Sequence, residues 1–170
     1  DGDGFLDVAL TMDHDATANN ETDKLFILRN LGDMLFSSIT EFSVGRMPND
    51  IEIGDLNGDS KPDLIISSNY QTNFSVIKNA CVKGVIQFSN YSEYTTTSLN
   101  GNYFIGKPLA LGDLNNDGKL DFAVSNSGQN GGFANINNSS TGTVSFNPYS
   151  NIRSIYNEYN VTSGMEPLDW

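Results

Sequence analysis

Three repeats of short strand-like runs, turn residues between the runs and the lack of any sustained helical period predict an all-β fold. The expected architecture is a partial β-propeller of about three four-stranded antiparallel blades, with an acidic loop between strands 1 and 2 of each. The last Asp of "DGDGFLD", "DLNGDSKPD" and "DLNNDGKLD" falls at Asp7, Asp63 and Asp121, 56 and then 58 residues apart. Other landmarks keep step. A run ending at Asn30, Asn79 or Asn138 comes next, then Phe36, Phe88 or Phe146, then a Gly shortly before Pro48, Pro108 or Pro167. The chain reads as one domain, 1–170, with repeats at 1–54, 55–112 and 113–170.

Within a repeat, the alternating pieces "IEIGD" and "LALGD" make the first strand, ahead of the loop. The apolar runs "DVALTM", "DLIISS" and "DFAVSN" make the second. The third is the Asn-ending run, as in "FSVIKN", and the fourth surrounds the Phe, as in "VIQFSN". Gly, Asn, Asp and Ser between them supply the turns.

Composition narrows the partners. The 170 residues suffice for one domain, and a formal charge of -12 with no basic stripe argues against nucleic acid. No run approaches the roughly 18 apolar residues that cross a bilayer, so no membrane insertion is expected. Cys81 and His14 each stand alone. A disulfide framework and a Cys-based zinc site are thereby excluded within these residues, and a catalytic His has no visible nucleophile or orienting partner. Cys81 is expected to be a small buried hydrophobe on a strand. Cations remain as the natural counterpart of the acidity.

The loops carry the chemistry. Counting from its first Asp, the third loop offers oxygen donors at positions 1, 3, 5 and 9, namely Asp113, Asn115, Asp117 and Asp121. Gly118 at position 6 permits a sharp turn, and Lys119 at position 7 offers its carbonyl. The second loop matches with Asp55, Asn57, Asp59, Asp63 and the Lys61 carbonyl, but Ser60 replaces the Gly and must bear strain if its φ is positive. The first begins at position 3, with Asp1, Asp3, Asp7 and the Phe5 carbonyl. An all-oxygen, mostly acidic set points to Ca²⁺ rather than Mg²⁺ or a transition metal, with two complete sites and one truncated at the N-terminus. An EF-hand is excluded, because its position-12 Glu is replaced by Leu10, Ile66 or Val124 and a β-rich run succeeds the loop.

The pattern "GD-N-D---D" followed by an apolar strand resembles the FG-GAP or VCBS-type repeat, the blade of calcium-binding β-propellers such as the head of integrin α subunits and many bacterial surface proteins. "VGRMP" and "FIGKP" keep the Gly and Pro of the integrin motif without the rest. The resemblance implies a structural metal on the lower face of the disc and a partner-binding upper face. That upper face would hold residues 13–23, 68–73, 126–132, 94–103 and 156–163, including Tyr70, Tyr103, Tyr156 and Tyr159. The first of these loops is enlarged, since 23 residues separate Asp7 from Asn30. Trp170 is placed in the first strand of a further blade.

The function expected of such a chain is that of an extracellular or cell-surface, secreted module that mediates adhesion to a protein or glycan ligand and is not an enzyme. The alternatives are a propeller part of a secreted polysaccharide-degrading enzyme, or a spacer. Three units leave sheet edges open, so the remaining propeller blades are expected in a longer chain, or else supplied by self-assembly. Six N-x-Ser/Thr sequons begin at Asn20, Asn73, Asn90, Asn137, Asn138 and Asn160.

Overall fold

A computed structural model describes residues 1–12, 23–69, 73–95, 109–126, 131–148 and 152–153. Every regular element among them is a β-strand, and every pairing is antiparallel. The first sheet holds β1 (Val8–Met12) and β2 (Lys24–Leu28). A small hairpin of β3 (Asn30–Gly32) and β4 (Leu35–Phe36) comes next, and β5 (Thr40–Ser43) returns to give the order β1-β2-β5. The second sheet runs β6 (Pro48–Gly54), β7 (Asp63–Ser68), β8 (Asn73–Ile77), β9 (Ser92–Thr95) in chain order. The third runs β10 (Leu109–Gly112), β11 (Asp121–Asn126), β12 (Gly131–Asn137), β13 (Phe146–Pro148), with β14 (Ile152–Arg153) also paired to β12. Among the described residues none of the sheets closes on itself.

The acidic loops join β6 to β7 and β10 to β11, whose ends pair as Gly54 with Asp63 and Gly112 with Asp121. Each loop therefore closes a hairpin, and a repeat counted from the loop cuts the sheet after its first strand.

The fourth strand departs from expectation. It does not run continuously around the Phe but is broken, into β4 and β5, into an Asn79–Phe88 bridge and β9, and into β13 and β14. A serine hydroxyl enters the ladder at two of the breaks: Ser37 Oγ accepts the Arg29 N–H at 3.2 Å and Ser89 Oγ accepts the Lys78 N–H at 3.0 Å. A side chain has replaced a backbone carbonyl there, which interrupts regular pairing.

Strand β7 shows how the sheets stack. All six of its residues are buried, because period-two alternation sends neighbours to opposite faces and both faces are covered. Ile65, with Phe74 and Val76 of β8, packs against Leu109, Phe122 and Val124 of the third sheet. Leu64 and Ile66 pack the other way, against Leu25, Ile27 and Val44 of the first unit. Polar links join the same junctions, with the Leu109 N–H donating to Asp50 Oδ2 at 2.8 Å and the Gly45 N–H to Ser75 Oγ at 3.0 Å. Cys81 is buried and free as expected, but it lies in the turn after β8 rather than on a strand.

Tyr94 of β9 closes the second junction at its rim. Its ring stacks on Phe74 at 5.4 Å and its hydroxyl donates to the Val144 carbonyl at 3.0 Å. Burial pushes its phenol above the ordinary value of 10.0. The fold thus favours the neutral phenol, and this contribution is complete below the ordinary value and lost as pH rises through the folded one. Tyr94→Phe is expected to cost about 1 kcal/mol near neutral pH by loss of the hydrogen bond. The variant should also lose less stability than the parent in urea melts made above pH 10.

Candidate functional site

The three loops share one backbone. Positions 4 and 6 are left-handed in every copy: Gly2 and Gly4 at φ 76° and 101°, Gly58 and Ser60 at 73° and 67°, Asn116 and Gly118 at 60° and 83°. Asn tolerates this region better than most residues, whereas Ser does not, so the strain expected at Ser60 is present. Ser60→Gly is expected to stabilise the chain by about 0.5 to 1 kcal/mol in urea denaturation.

These turns wrap backbone donors around the first Asp. Asp55 accepts N–H groups from Gly58 at 2.7 Å and Ser60 at 2.8 Å, with longer bonds from Asn57 and Asp59. Asp113 likewise accepts from Gly118 at 2.8 Å and Asp117 at 3.1 Å. The Gly118 N–H holds the Asp113 carboxyl below its ordinary value. At position 5, Asp3, Asp59 and Asp117 each accept the N–H two residues on, from Phe5, Lys61 and Lys119 at 2.9, 2.9 and 3.0 Å.

Position 9 is the buried hub. Asp63 and Asp121 are fully buried. Their Oδ1 atoms accept the N–H of Asn79 at 2.8 Å and of Asn137 at 2.7 Å, and Asp7 Oδ1 accepts that of Asn30 at 2.9 Å. The Asn replies. Its Nδ2 donates to the carbonyl before the Asp, at Leu6, Pro62 or Leu120, and its Oδ1 takes the N–H of Gly32, Cys81 or Ser139. Asp63 Oδ2 accepts in addition from the Leu56 N–H at 3.2 Å and Asn57 Nδ2 at 2.9 Å. Burial, followed by the charges of Asp59 and Asp55, pushes Asp63 above its ordinary value against the pull of the Asn79 and Leu56 donors.

This clasp corrects one landmark: the third Asn is Asn137, not Asn138, so the Asp-to-Asn step is 16 residues in the second and third units alike. Lys61 and Lys119 also do more than offer carbonyls. Their ammonium groups donate to the Cys81 carbonyl at 3.0 Å and the Ser139 carbonyl at 2.9 Å. A Lys at position 7 of both loops is the trace this role leaves in the sequence.

The second loop is keyed into the third sheet. Asn137 Nδ2 donates to the Leu56 carbonyl at 3.0 Å, the Gly142 N–H donates to the Asn57 carbonyl at 3.2 Å, and Lys78 Nζ reaches the Gly142 carbonyl at 3.0 Å. Whatever tightens this loop tightens the junction between two units.

The donor set of the second loop suits a hard cation. Asn57 is only 2% exposed, yet its Oδ1 has no hydrogen-bond donor. A buried oxygen left in that state is costly unless something positive reaches it. In the third loop Asn115 is exposed and its Oδ1 takes the Asp117 N–H at 2.9 Å. In the first, a guanidinium already supplies positive charge: Arg29 Nη2 lies 2.8 Å from Asp3 Oδ2 and Arg29 Nε pairs with Asp1. The Phe5 N–H and then Arg29 hold Asp3 below its ordinary value. Among the described residues no three His, Cys, Asp or Glu side chains converge closely enough to surround an ion, so Asn amides and carbonyls would have to complete any shell.

Tyr70, Tyr103, Tyr156, Tyr159, His14 and Trp170 lie outside the described residues, as does most of the expected upper face. Among the described residues no helix is long and apolar enough to cross a membrane. Two comparisons bear on the repeats. The FG-GAP-like repeat family matches residues 1–66, which span the first two loops, and the FG-GAP repeat family matches residues 109–146, which span the third. No curated protein and no solved structure matches the chain.

Proposed function

We propose, from the premise that this chain carries FG-GAP-type repeats, that it is a β-propeller segment whose second and third loops take Ca²⁺ as a structural ion. Asp55, Asn57, Asp59, Asp63 and the Lys61 carbonyl would hold one ion, the three carboxylates having to draw closer together around it than they now stand. Asp113, Asn115, Asp117, Asp121 and the Lys119 carbonyl would hold the other. The ion supplies fixed positive charge to carboxylates that otherwise repel, and does no chemistry beyond that. In the first loop an ion at Asp1, Asp3, Asp7 and the Phe5 carbonyl would have to displace Arg29, which makes it the weakest of the three. The observation that carries the assignment is Asn57 Oδ1, buried at a ligand position without a donor.

The wider role in this reading is a non-enzymatic binding module outside the cell, adhesive towards a protein or glycan. Loops of moderate affinity suit the millimolar calcium found there. The open sheets favour further blades of the same kind beside this segment. Equilibrium dialysis with ⁴⁵Ca²⁺ tests the metal part: two ions per chain are expected, and no saturable binding would overturn it. A glycan array probed with and without Ca²⁺ tests the binding role, with selective, calcium-dependent binding expected and cleavage of a glycan pointing to the enzyme alternative.

A further inference from the structure

The second and third loops carry the same residue at position 3, and the two copies differ in what holds it. Asn115 is exposed and folds back on its own loop: its Oδ1 takes the Asp117 N–H at 2.9 Å and its Nδ2 reaches Asp117 Oδ2 at 3.2 Å. Asn57 is 2% exposed, its Nδ2 donates to Asp63 Oδ2 at 2.9 Å, and its Oδ1 has no donor. Its main chain is fixed from outside the loop. The Gly142 N–H donates to the Asn57 carbonyl at 3.2 Å, and Asn137 Nδ2 donates to the neighbouring Leu56 carbonyl at 3.0 Å. The Leu56 side chain, 1% exposed, packs with Phe122 and Val144 of the third unit.

Gly142 is held in turn by the second unit. It lies at φ 81° in the tight turn closed by the Ser140–Thr143 bridge, and Lys78 Nζ donates to its carbonyl at 3.0 Å. Lys78 precedes the clasp Asn79 as Arg29 precedes Asn30, yet Arg29 turns into its own loop whereas Lys78 crosses the junction. We infer that the third unit completes the metal site of the second loop: Asn137 and the Gly142 turn, anchored by Lys78, are positioning residues that set Asn57 Oδ1 as a ligand before an ion arrives. Resting on the calcium reading above, this makes the second site a property of the junction between two units. A ligand oxygen held in place and free of competing donors loses less freedom when it binds. By linkage, an ion in the second loop tightens the Gly142 turn by the same factor by which the turn tightens the ion.

The test is calorimetric titration with Ca²⁺ of two variants of the whole chain, Asp113→Ala, which keeps the second site, and Asp55→Ala, which keeps the third, each with and without Lys78→Met. Lys78→Met should weaken binding about fivefold in the Asp113→Ala chain and leave the Asp55→Ala chain unchanged. Removing a cation beside an acidic loop would by itself strengthen the binding of a divalent ion, so charge alone gives the opposite sign. Amide hydrogen exchange gives a second readout that does not need the Lys78 variant: in the Asp113→Ala chain, Ca²⁺ should slow exchange at Gly142. Equal or tighter binding after Lys78→Met overturns the inference, as does an equal loss in both chains or a Gly142 amide that saturating Ca²⁺ leaves unchanged; the second-loop calcium site survives each of these results. An Asp113→Ala chain that binds no Ca²⁺ overturns that site, and the role of the third unit with it.

Discussion

Asp63→Ala is expected to lower the stability of the metal-free chain by about 3 to 5 kcal/mol, read from urea denaturation in chelator. The carboxylate is fully buried and accepts from three groups, the Asn79 N–H, the Leu56 N–H and Asn57 Nδ2. Alanine leaves all three donors without that acceptor, and each orphaned donor costs about 1 to 3 kcal/mol before the loop relaxes. Burial already disfavours ionisation of Asp63, so part of this gain is offset in the parent; the loss of three partners outweighs that relief. Asp113→Ala gives the contrast. Its carboxylate is exposed and its backbone donors can turn to water, so the metal-free loss should be much smaller, while the response to added Ca²⁺ at the third loop should vanish. A similar metal-free loss in both variants would contradict the division into a buried hub and an exposed ligand.

Phe122→Ala should cost about 3 to 5 kcal/mol, the usual range for removing a buried aromatic. Phe122 is 0% exposed and meets Phe74 across the junction at 4.5 Å and Phe146 of its own unit at 5.1 Å, both edge to face. Such pairs add about 0.5 to 1.5 kcal/mol beyond burial. Truncation opens a cavity between two sheets that no single sheet can collapse to fill, so separation of the units should accompany the loss. The check is the urea m-value: a falling m-value would signal that the third sheet detaches before the rest, whereas a shift in midpoint alone would mean the junction fails together with the sheets.

The loops were legible because a turn that gathers donors must place Asp and Gly at fixed backbone positions, and such spacing survives in a linear string. The left-handed backbone at positions 4 and 6 is written in Gly2, Gly4, Gly58 and Gly118, with Ser60 and Asn116 as the exceptions that the fold imposes. Strand alternation exposed β6 to β8 and β10 to β12 for the same reason, since period two is local. Non-local choices were hidden. Nothing near "INN" says which Asn clasps the hub; only contact with Asp121, 16 residues back, selects Asn137 over Asn138. Arg29 pairs with Asp1 from 28 residues away, a choice made by the adjacent strands rather than by spacing within the loop. Leu56 and Leu114 occupy the same loop position and read alike, yet one is 1% and the other 50% exposed, because a neighbouring sheet covers only the first. Breaks in the fourth strand rest on Ser37 and Ser89, whose entry into a ladder looks in sequence like any other turn serine.

Calorimetric melting of the chain in chelator and in millimolar Ca²⁺, beside the Asp55→Ala, Asp113→Ala double variant, addresses the acidic loops most directly. Calcium should raise the melting midpoint of the parent by several degrees or more, as RT ln(1 + [L]/Kd) requires for two sites well above their Kd, and leave the double variant where the chelator leaves it. A parent that melts at one temperature with and without the ion would show that backbone donors and Arg29 alone hold the loops, and would contradict calcium as their structural partner.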